Sequence, residues 1–440
     1  VAEAGGATGD ETGGRGRRAM IFERRLSFHI DWALLAAVAA LCAIGLVMIY
    51  STTYAGDKAG PQFWTQLYAL ALGAIALIIC LSIDYRVLAE HSLVTYGLFC
   101  GLLLYVMFFG AVRGGARRWI DLGVFNLQPS EFGRIIVALI LAMYFGENRR
   151  GARTTGDLVL GAVLVAVPFL LIVRQPDLGT AATLLPVFVG IAYVAGMRMR
   201  LLAIAALTGV LLAPVAWSFA LQEYQKERIT TFVNPERDAR GAGYQQIQAR
   251  VTVGSGGLTG KGFRAGTQGQ YKFLPVAHND FIFSVLAEEW GFIGVLVALG
   301  LYLFVVLRSF EAARLAKDRL GAYLVAGITC GFAFQVIYNI TMSAGLAPVK
   351  GLTLPLMSYG GSAVIDMTAL TQLRRASSWS VVHEQGDDRL RERPRNASGH
   401  PRGGSGSRSL HRAGALAWSR RQRLQRPGLE SAARHAIGVR

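Results

Sequence analysis

Long apolar runs, separated by short polar and often basic segments, set the pattern of this 440-residue chain. Runs of roughly 18–25 residues recur, long enough to cross a bilayer as helices. They predict spans near 31–51, 64–83, 92–111, 131–147, 157–173, 178–196, 201–221, 281–307, 320–345 and 351–373. A backbone in lipid must satisfy its own polar groups. The expected fold is therefore all-α: a polytopic membrane helical bundle of about ten transmembrane helices.

Two regions fall outside this pattern. Residues 222–280 form a large outer loop, and its stretch 241–269 contains nine glycines. Glycine permits positive φ and close backbone approach to a ligand. A flexible surface loop and an ordered functional one both fit that composition. Tyr244, Phe263, Tyr271 and Phe273 argue for order. The second region begins where Asp366 interrupts the last apolar run. Residues 374–440 are Arg-, Gly- and Ser-rich without periodicity and read as a disordered basic tail. A reading-frame change explains so abrupt a shift, and a tail that binds anionic lipid headgroups is the alternative. Residues 1–28 read as a disordered N-terminus, ahead of a membrane domain spanning 29–373.

Composition narrows the class. At 52% hydrophobic and a mean hydropathy of +0.38, the chain is too apolar for an ordinary soluble domain. Arg15, Arg17, Arg18, Arg24 and Arg25 precede the first span with no cleavage site after it, which puts the N-terminus in the cytoplasm. Counting from there places Arg86, Arg149, Arg150, Arg153, Arg198, Arg200, Arg308, Arg314, Lys317 and Arg319 inside. The outer segment 112–130 breaks the rule with Arg113, Arg117 and Arg118, and an anionic ligand explains basic residues on that side. The net charge of +17 does not point to nucleic acid, because residues 374–440 hold 15 Arg and 5 acids, so +10 of it. Cys42, Cys80, Cys100 and Cys330 lie inside spans without paired spacing and read as small buried hydrophobes.

Candidate chemistry gathers on the outer side. Asp280 stands at the mouth of the eighth span, which also carries Glu288 and Glu289, and ionisable groups in a span are functional by default. On a continuous helix Asp280, Ser284 and Glu288 share one face, with Glu288 ~12 Å further along. From the residues alone, Asn279 or Asp280 reads first as a helix N-cap, with a catalytic base as the alternative for Asp280. In GGARRWIDLGVFNLQPSEFGR (114–134), Glu131 and Arg134 read as a buried ion pair or as a cavity wall. Arg117, Arg118 and Trp119 suit a phosphate or sugar, the planar fork of Arg donating two hydrogen bonds at once. Arg174 and Asp177 around Pro176 read as a capped turn, and Asn339 in the ninth span as interhelical glue. There is no metal-binding spacing and no Walker loop. Without a nucleotide site, the chemistry must draw on an already activated substrate, such as a lipid pyrophosphate.

Taken in order, GARRWIDLG…QPSEFGR, RQPDLGT, NPERDARGAGYQQIQ, VGSGGLTGKG…GTQ, FLPVAHNDFIFSVLAEEWG and PVKGLTLPLMSYGGS resemble the motifs of the SEDS family of RodA and FtsW, over roughly residues 30–365. GTQ is closer to the RodA branch and PVKGLTLP to the FtsW branch; the RodA branch, with its role in cell elongation, is favoured. The resemblance implies a peptidoglycan glycosyltransferase of the bacterial cytoplasmic membrane. It would polymerise lipid II on the outer face, release undecaprenyl pyrophosphate and work with a class B penicillin-binding protein. The family's catalytic Asp falls on Asp280, and its Glu-x-x-Lys pair on Glu131 and Arg134. Arg134 departs from the family Lys, Asn279 from a usual Thr and Ala249 from a usual Ser. The chain beyond Asp366 does not look like the family's final half-helix.

On that resemblance Asp280 is the expected general base of a single, inverting displacement. Arg118, Arg134, Lys261 and Lys272 are candidates to hold phosphates, Glu131 would orient Arg134, and a divalent cation (Mg or Mn) is a candidate helper. Two rival classes are a flippase of the lipid-linked precursor and a scaffold for a penicillin-binding protein. Charged features on one face, rather than at the midplane between repeats, weigh against the flippase.

Overall fold

The computed structural model describes residues 31–359, apart from short stretches at 55–58, 83–84, 114–115, 122–125, 148–153, 216, 219–221, 239–240, 272 and 317. Helices α1 (Trp32–Thr53), α2 (Pro61–Ser82), α3 (Tyr85–Glu90) and α4 (Ser92–Phe109) come first. A small antiparallel sheet follows, in order β1 (Ala111–Arg113), β2 (Ala116–Asp121), β3 (Asn126–Leu127), with Val112 opposite Arg117 and Ile120 opposite Leu127. A tight turn, Pro129–Phe132, leads into α5 (Gly133–Glu147). Then come α6 (Thr155–Arg174), α7 (Leu178–Val194) and α8 (Met199–Val215). The outer loop contains α9 (Glu223–Val233), α10 (Ala242–Ser255) and α11 (Thr267–Gln270). The bundle closes with α12 (Ile282–Leu315) and α13 (Arg319–Ser343).

Seven of the described helices are long and apolar enough to cross a bilayer, and α7 and α8 are shorter apolar helices. Such a set of apolar helices makes this a polytopic helical membrane protein. Polar caps mark where helices start: the side chains of Asp31, Asp177 and Asp318 accept from the amides of Leu34, Thr180 and Gly321 at 3.1, 3.1 and 3.2 Å. Thr154 and Asp157 form a reciprocal capping box on α6. Helices α5, α7 and α13 form the buried centre, and α1 packs against α12. Leu72, Ile75 and Ile78 of α2 and Leu207, Val210 and Leu211 of α8 stay exposed, as side chains bathed in lipid would be.

The two ends of the bundle sort the loops. At one end Arg86 pairs with Asp318 at 3.3 Å and Arg308 with Asp31 at 2.6 Å. All four belong to segments whose basic residues predict the cytoplasmic side. The sheet, the α6–α7 turn, the loop carrying α9–α11 and residues 344–353 gather at the other end.

Three expectations change. First, α12 is not a continuous helix: Gly291 adopts φ 65° and ψ −163° and breaks it. The glycine-rich stretch seals the break. The amides of Lys261 and Gly262 bond the carbonyls of Glu288 and Glu289 at 2.9 and 3.0 Å, and those of Phe292 and Ile293 reach the carbonyls of Gly257 and Leu258 at 2.9 and 3.1 Å. A Cβ on Gly256 would collide with the carbonyl of Ala287, and one on Gly260 with that of Glu289. The close approach that these glycines allow is therefore to the chain itself. Second, Glu288 and Glu289 do not sit deep in a span. Ser51, near the outer end of α1, donates to Glu289 at that level, and Glu288 is covered by the loop. Third, residues 351–359 are not the start of a helix. Pro355 interrupts them and side chains hold their backbone: Tyr302 donates to the Pro355 carbonyl at 2.5 Å and Ser358 accepts from the Leu354 amide at 2.7 Å. Residues 360–440, with the rest of the expected tenth span and the tail, lie outside the described residues, as do residues 1–28.

Candidate active site

A cavity of about 260 Å³ opens at the end of the bundle that carries the sheet, where six parts of the chain meet. Strand β2 contributes Arg118 and Trp119, and the turn into α5 contributes Gln128, Glu131 and Arg134. The start of α7 adds Asp177, Thr180 and Thr183. Asn279 and Asp280 come from the turn before α12; Gln335 of α13, residues 351–353 and Tyr359 complete the wall. Four sequence-predicted residues, Asp280, Arg118, Glu131 and Arg134, thus line one space although they are up to 162 positions apart (280 − 118).

Asp280 does not cap its helix. Phe281 occupies the cap position and no side chain closes it. The residue keeps partial exposure through other atoms, but its Oδ1 is enclosed and meets no hydrogen-bond donor. Burial pushes the carboxyl up to about 6, while the charges of Arg228 and Arg118 pull the other way. An acid of that kind is ionised near neutrality, yet basic enough to accept a proton.

The cations are held in place. Arg118 lies 3.8 Å from Asp177, whose carboxylate also accepts from Gln128 at 2.7 Å and from the Thr180 hydroxyl at 2.9 Å. Asp177 is the cap that the sequence predicts, and it is a cavity wall as well. Arg134, nearly buried, donates to Gln335, which in turn donates to the Thr353 carbonyl at 2.8 Å. Arg228 of α9 donates to the Val349 carbonyl at 2.9 Å. Burial, with the charge of Arg228, lowers the pKa of neighbouring Lys350.

Lys261 stands elsewhere. Its ammonium pairs with the buried Glu288 at 2.7 Å and reaches the Thr267 hydroxyl at 3.0 Å; the same Glu288 oxygen accepts from the amides of Thr267 and Gln268 at 2.9 and 3.2 Å. Here Lys261 fastens the glycine loop to α12 and does not face the cavity. Lys272 lies outside the described residues. Gln128, Arg228, Gln335, Thr353 and Tyr359 were not singled out from sequence. The one available signal was the spacing of Gln335 and Asn339, two amides four residues apart in an apolar helix. Among the described residues no group of three or more His, Cys, Asp or Glu could hold a metal ion. The cavity acids Glu131, Asp177 and Asp280 do not make an all-protein cage for Mg or Mn.

A helical membrane bundle whose cavity gathers Arg118, Arg134, Glu131, Asp177 and Asp280 at one end defines a class: polytopic membrane proteins with a charged site. The family described as cell cycle protein, FtsW/RodA/SpoVE, matches residues 32–377, and this chain belongs to it. Over 343 residues the chain is 36% identical to the peptidoglycan glycosyltransferase MrdB of Escherichia coli strain K12, covering 78% of this chain and 91% of that protein. It is also 36% identical over 351 residues to a probable peptidoglycan glycosyltransferase FtsW of Trichlorobacter lovleyi, covering 76% and 89%. Among solved structures, a chain from work on a peptidoglycan synthase complex that coordinates polymerization and crosslinking superposes with TM-score 0.69 at 32% identity, covering 80% of this chain and 98% of that one. The rod shape determining protein RodA of Thermus thermophilus does so with TM-score 0.59 at 29% identity, covering 80% and 96%.

Proposed function

We infer that this chain is a peptidoglycan glycosyltransferase that polymerises lipid II on the outer face of the bacterial cytoplasmic membrane, with Asp280 as general base. The observation that carries this reading is the enclosed, unpartnered carboxylate of Asp280 in a cavity walled by Arg118 and Arg134. Asp280 takes the proton from the 4-hydroxyl of the acceptor sugar. The freed oxygen pair attacks the anomeric carbon of the donor glycan, and the bond from that carbon to the phosphate oxygen breaks. Undecaprenyl pyrophosphate leaves with the bonding pair, and a single displacement turns the α-linked donor into a β-1,4 bond. The leaving group needs charge neutralisation more than protonation, so one carboxylate suffices, unlike the paired acids of glycoside hydrolysis. Arg118 and Arg134 supply that charge, and Gln335 orients Arg134. At about 260 Å³ the cavity takes the reacting end of the substrate, while the rest of the glycan and the lipid lie outside it.

The family relation supports the reaction, and the relatives' name of RodA type supports a role in cell elongation. The likeness to a chain of a synthase complex that couples polymerization to crosslinking supports a class B penicillin-binding protein as partner. No step is routed through a metal. The gathering of charge at one end of the bundle, rather than at its midplane, speaks against a flippase.

The test is purified protein given labelled lipid II. The parent should build glycan strands, and Asp280→Asn, which keeps the shape but cannot accept the proton, should lose roughly 10²–10⁴-fold in rate. Strands made by the Asn variant at the parental rate would overturn the role of Asp280. Inside-to-outside movement of lipid II in liposomes without polymer would overturn the enzyme reading.

A further inference from the structure

Asn339 sits one turn before the end of α13 and is fully buried. As interhelical glue it would bond to whichever neighbour lies opposite. Instead its side-chain nitrogen donates twice, to the main-chain carbonyl of Asp280 at 2.9 Å and to that of Leu352 at 2.7 Å. The Asp280 carbonyl is outside the hydrogen-bond ladder of α12, since the amides of Ser284 and Val285 use Phe281. Leu352 follows a tight turn closed by its own amide on the Lys350 carbonyl. Gln335, four residues earlier on the same face of α13, repeats the pattern by holding the Thr353 carbonyl and Arg134.

Two amides on one helix face therefore fix three things together: the main chain at Asp280, the main chain at 352–353, and the guanidinium of Arg134. Gly351 lies between these anchors, and a Cβ on it would stand 3.7 Å from Asp280 Oδ2. Among the described residues no donor meets the Asp280 carboxylate, so its place is set by the main chain that carries it. We infer that Asn339 is a positioning residue, whose two-carbonyl clamp sets where the Asp280 carboxylate stands against the Gly351–Thr353 wall and Arg134. The inference rests on the reading of Asp280 as the proton acceptor.

Only a side chain with two donor hydrogens on one atom can serve both carbonyls; Asp at this site would set an acceptor against two acceptors. The charged groups around Asp280 are Arg118 from β2 and Arg228 from α9, with Glu131, Arg134 and Asp177 on the same cavity. His278 and Tyr359 lie on the adjoining turns, joined by a bond from the Tyr359 amide to the His278 carbonyl at 3.1 Å, and Lys350 precedes Gly351. Substitution at 339 alters the charge of none of these groups, so a change in the acid limb of the rate profile reports a carboxylate displaced against them.

The experiment compares the full chain with Asn339→Leu, which removes both donors, and Asn339→Ser, which retains one. Thermal unfolding in detergent, kcat and KM for lipid II and the pH–rate profile are measured on each. The expected result for folded Asn339→Leu is a fall in kcat of roughly 10–100-fold, since small misplacements of a catalytic group cost that much. KM should change much less than kcat, because Arg118 and Arg134 are held by Asp177 and Gln335 rather than by Asn339. The acid limb should move, and Asn339→Ser should lie between Leu and parent. A folded Leu variant with parental kcat and acid limb, changed only in its unfolding temperature, would make Asn339 a packing residue and overturn the inference. If the Leu variant does not fold, Asn339→Ser decides by the same two readouts, and a parental kcat overturns the inference. A parent that makes no glycan sinks the function itself, so that failure is told apart before any variant is compared.

Discussion

Of the three carboxylates in this cavity, Asp280 is the one to which the proposed reaction gives a pH-dependent task. Asp280 must be ionised to accept a proton, and burial raises its pKa to about 6 against the pull of Arg228 and Arg118. The sign follows: activity is full above that value and falls as pH drops through it, by about tenfold per pH unit well below. Removing a cation that favours the charged form must raise the pKa further. Arg228→Gln, on an outer-loop helix, should thus shift the acid limb of kcat/KM upward, as a pH series from 5 to 8 (about three units around the normal working range) would register. An unmoved limb would mean that the proton acceptor is not the group beside Arg228. The residue type and place of Asp280 were legible in the sequence; its environment was not. That environment includes the charge of Arg228 and the close approach of Gly351, which reach Asp280 only after the outer loop and the segment after α13 have folded back.

Among the elements, the broken helix and its seal carry the most testable geometry. A side chain at Gly260 would enter the backbone of Glu289, and Gly291 holds a positive φ that L side chains rarely adopt. Gly260→Ala and Gly291→Ala should each destabilise by about 1–3 kcal/mol or more, the range for overpacking a tight site. Gly254→Ala, where a Cβ meets nothing within 4 Å, should be neutral or slightly stabilising. Melting curves of the three variants in one detergent check the contrast. Lys261 belongs to the same seal. Its side chain is 28% exposed and Glu288 keeps three further donors, so Lys261→Ala should cost only ~1–2 kcal/mol, less than the 3–5 typical of a fully buried pair. A lipid II KM unchanged in that variant would agree with a fastening role, and a large rise in KM would restore it as a phosphate ligand. Periodicity could not reveal this break, because Phe292, Ile293 and Val295 continue the apolar pattern straight across Gly291. The hairpin of β1 and β2 was equally silent, since AVRGGARRWID alternates too weakly to announce strands. Nor could an apolar run such as GLTLPLM declare itself non-helical, as its backbone partners Gln335, Tyr302 and Asn339 lie on other helices.

For the whole molecule, the alternation of loops is the firm prediction. Asp31, Arg86, Arg308 and Asp318 meet at one end, and Ser51, Asp280 and the glycine loop at the other. With native cysteines removed, Leu258→Cys, which is strongly exposed, should react with a membrane-impermeant thiol reagent on intact cells stripped of their outer layer. Glu311→Cys should react only after permeabilisation. Labelling of both from the same side would overturn the topology. The spacing of apolar runs was enough to foresee which segments gather at each end, because span length is set locally before tertiary contacts exist.

The splice between residues 256–262 and the interrupted eighth crossing has one more consequence. Surface connections in most proteins tolerate added or exchanged residues at little cost. Here an insertion in those seven positions would put four main-chain partners at risk at the interrupted helix, beside the buried Glu288, Glu289 and Gly291. Chimeras that swap the outer region between relatives should therefore assemble only when the donor loop and the recipient's residues 288–293 travel as one cassette.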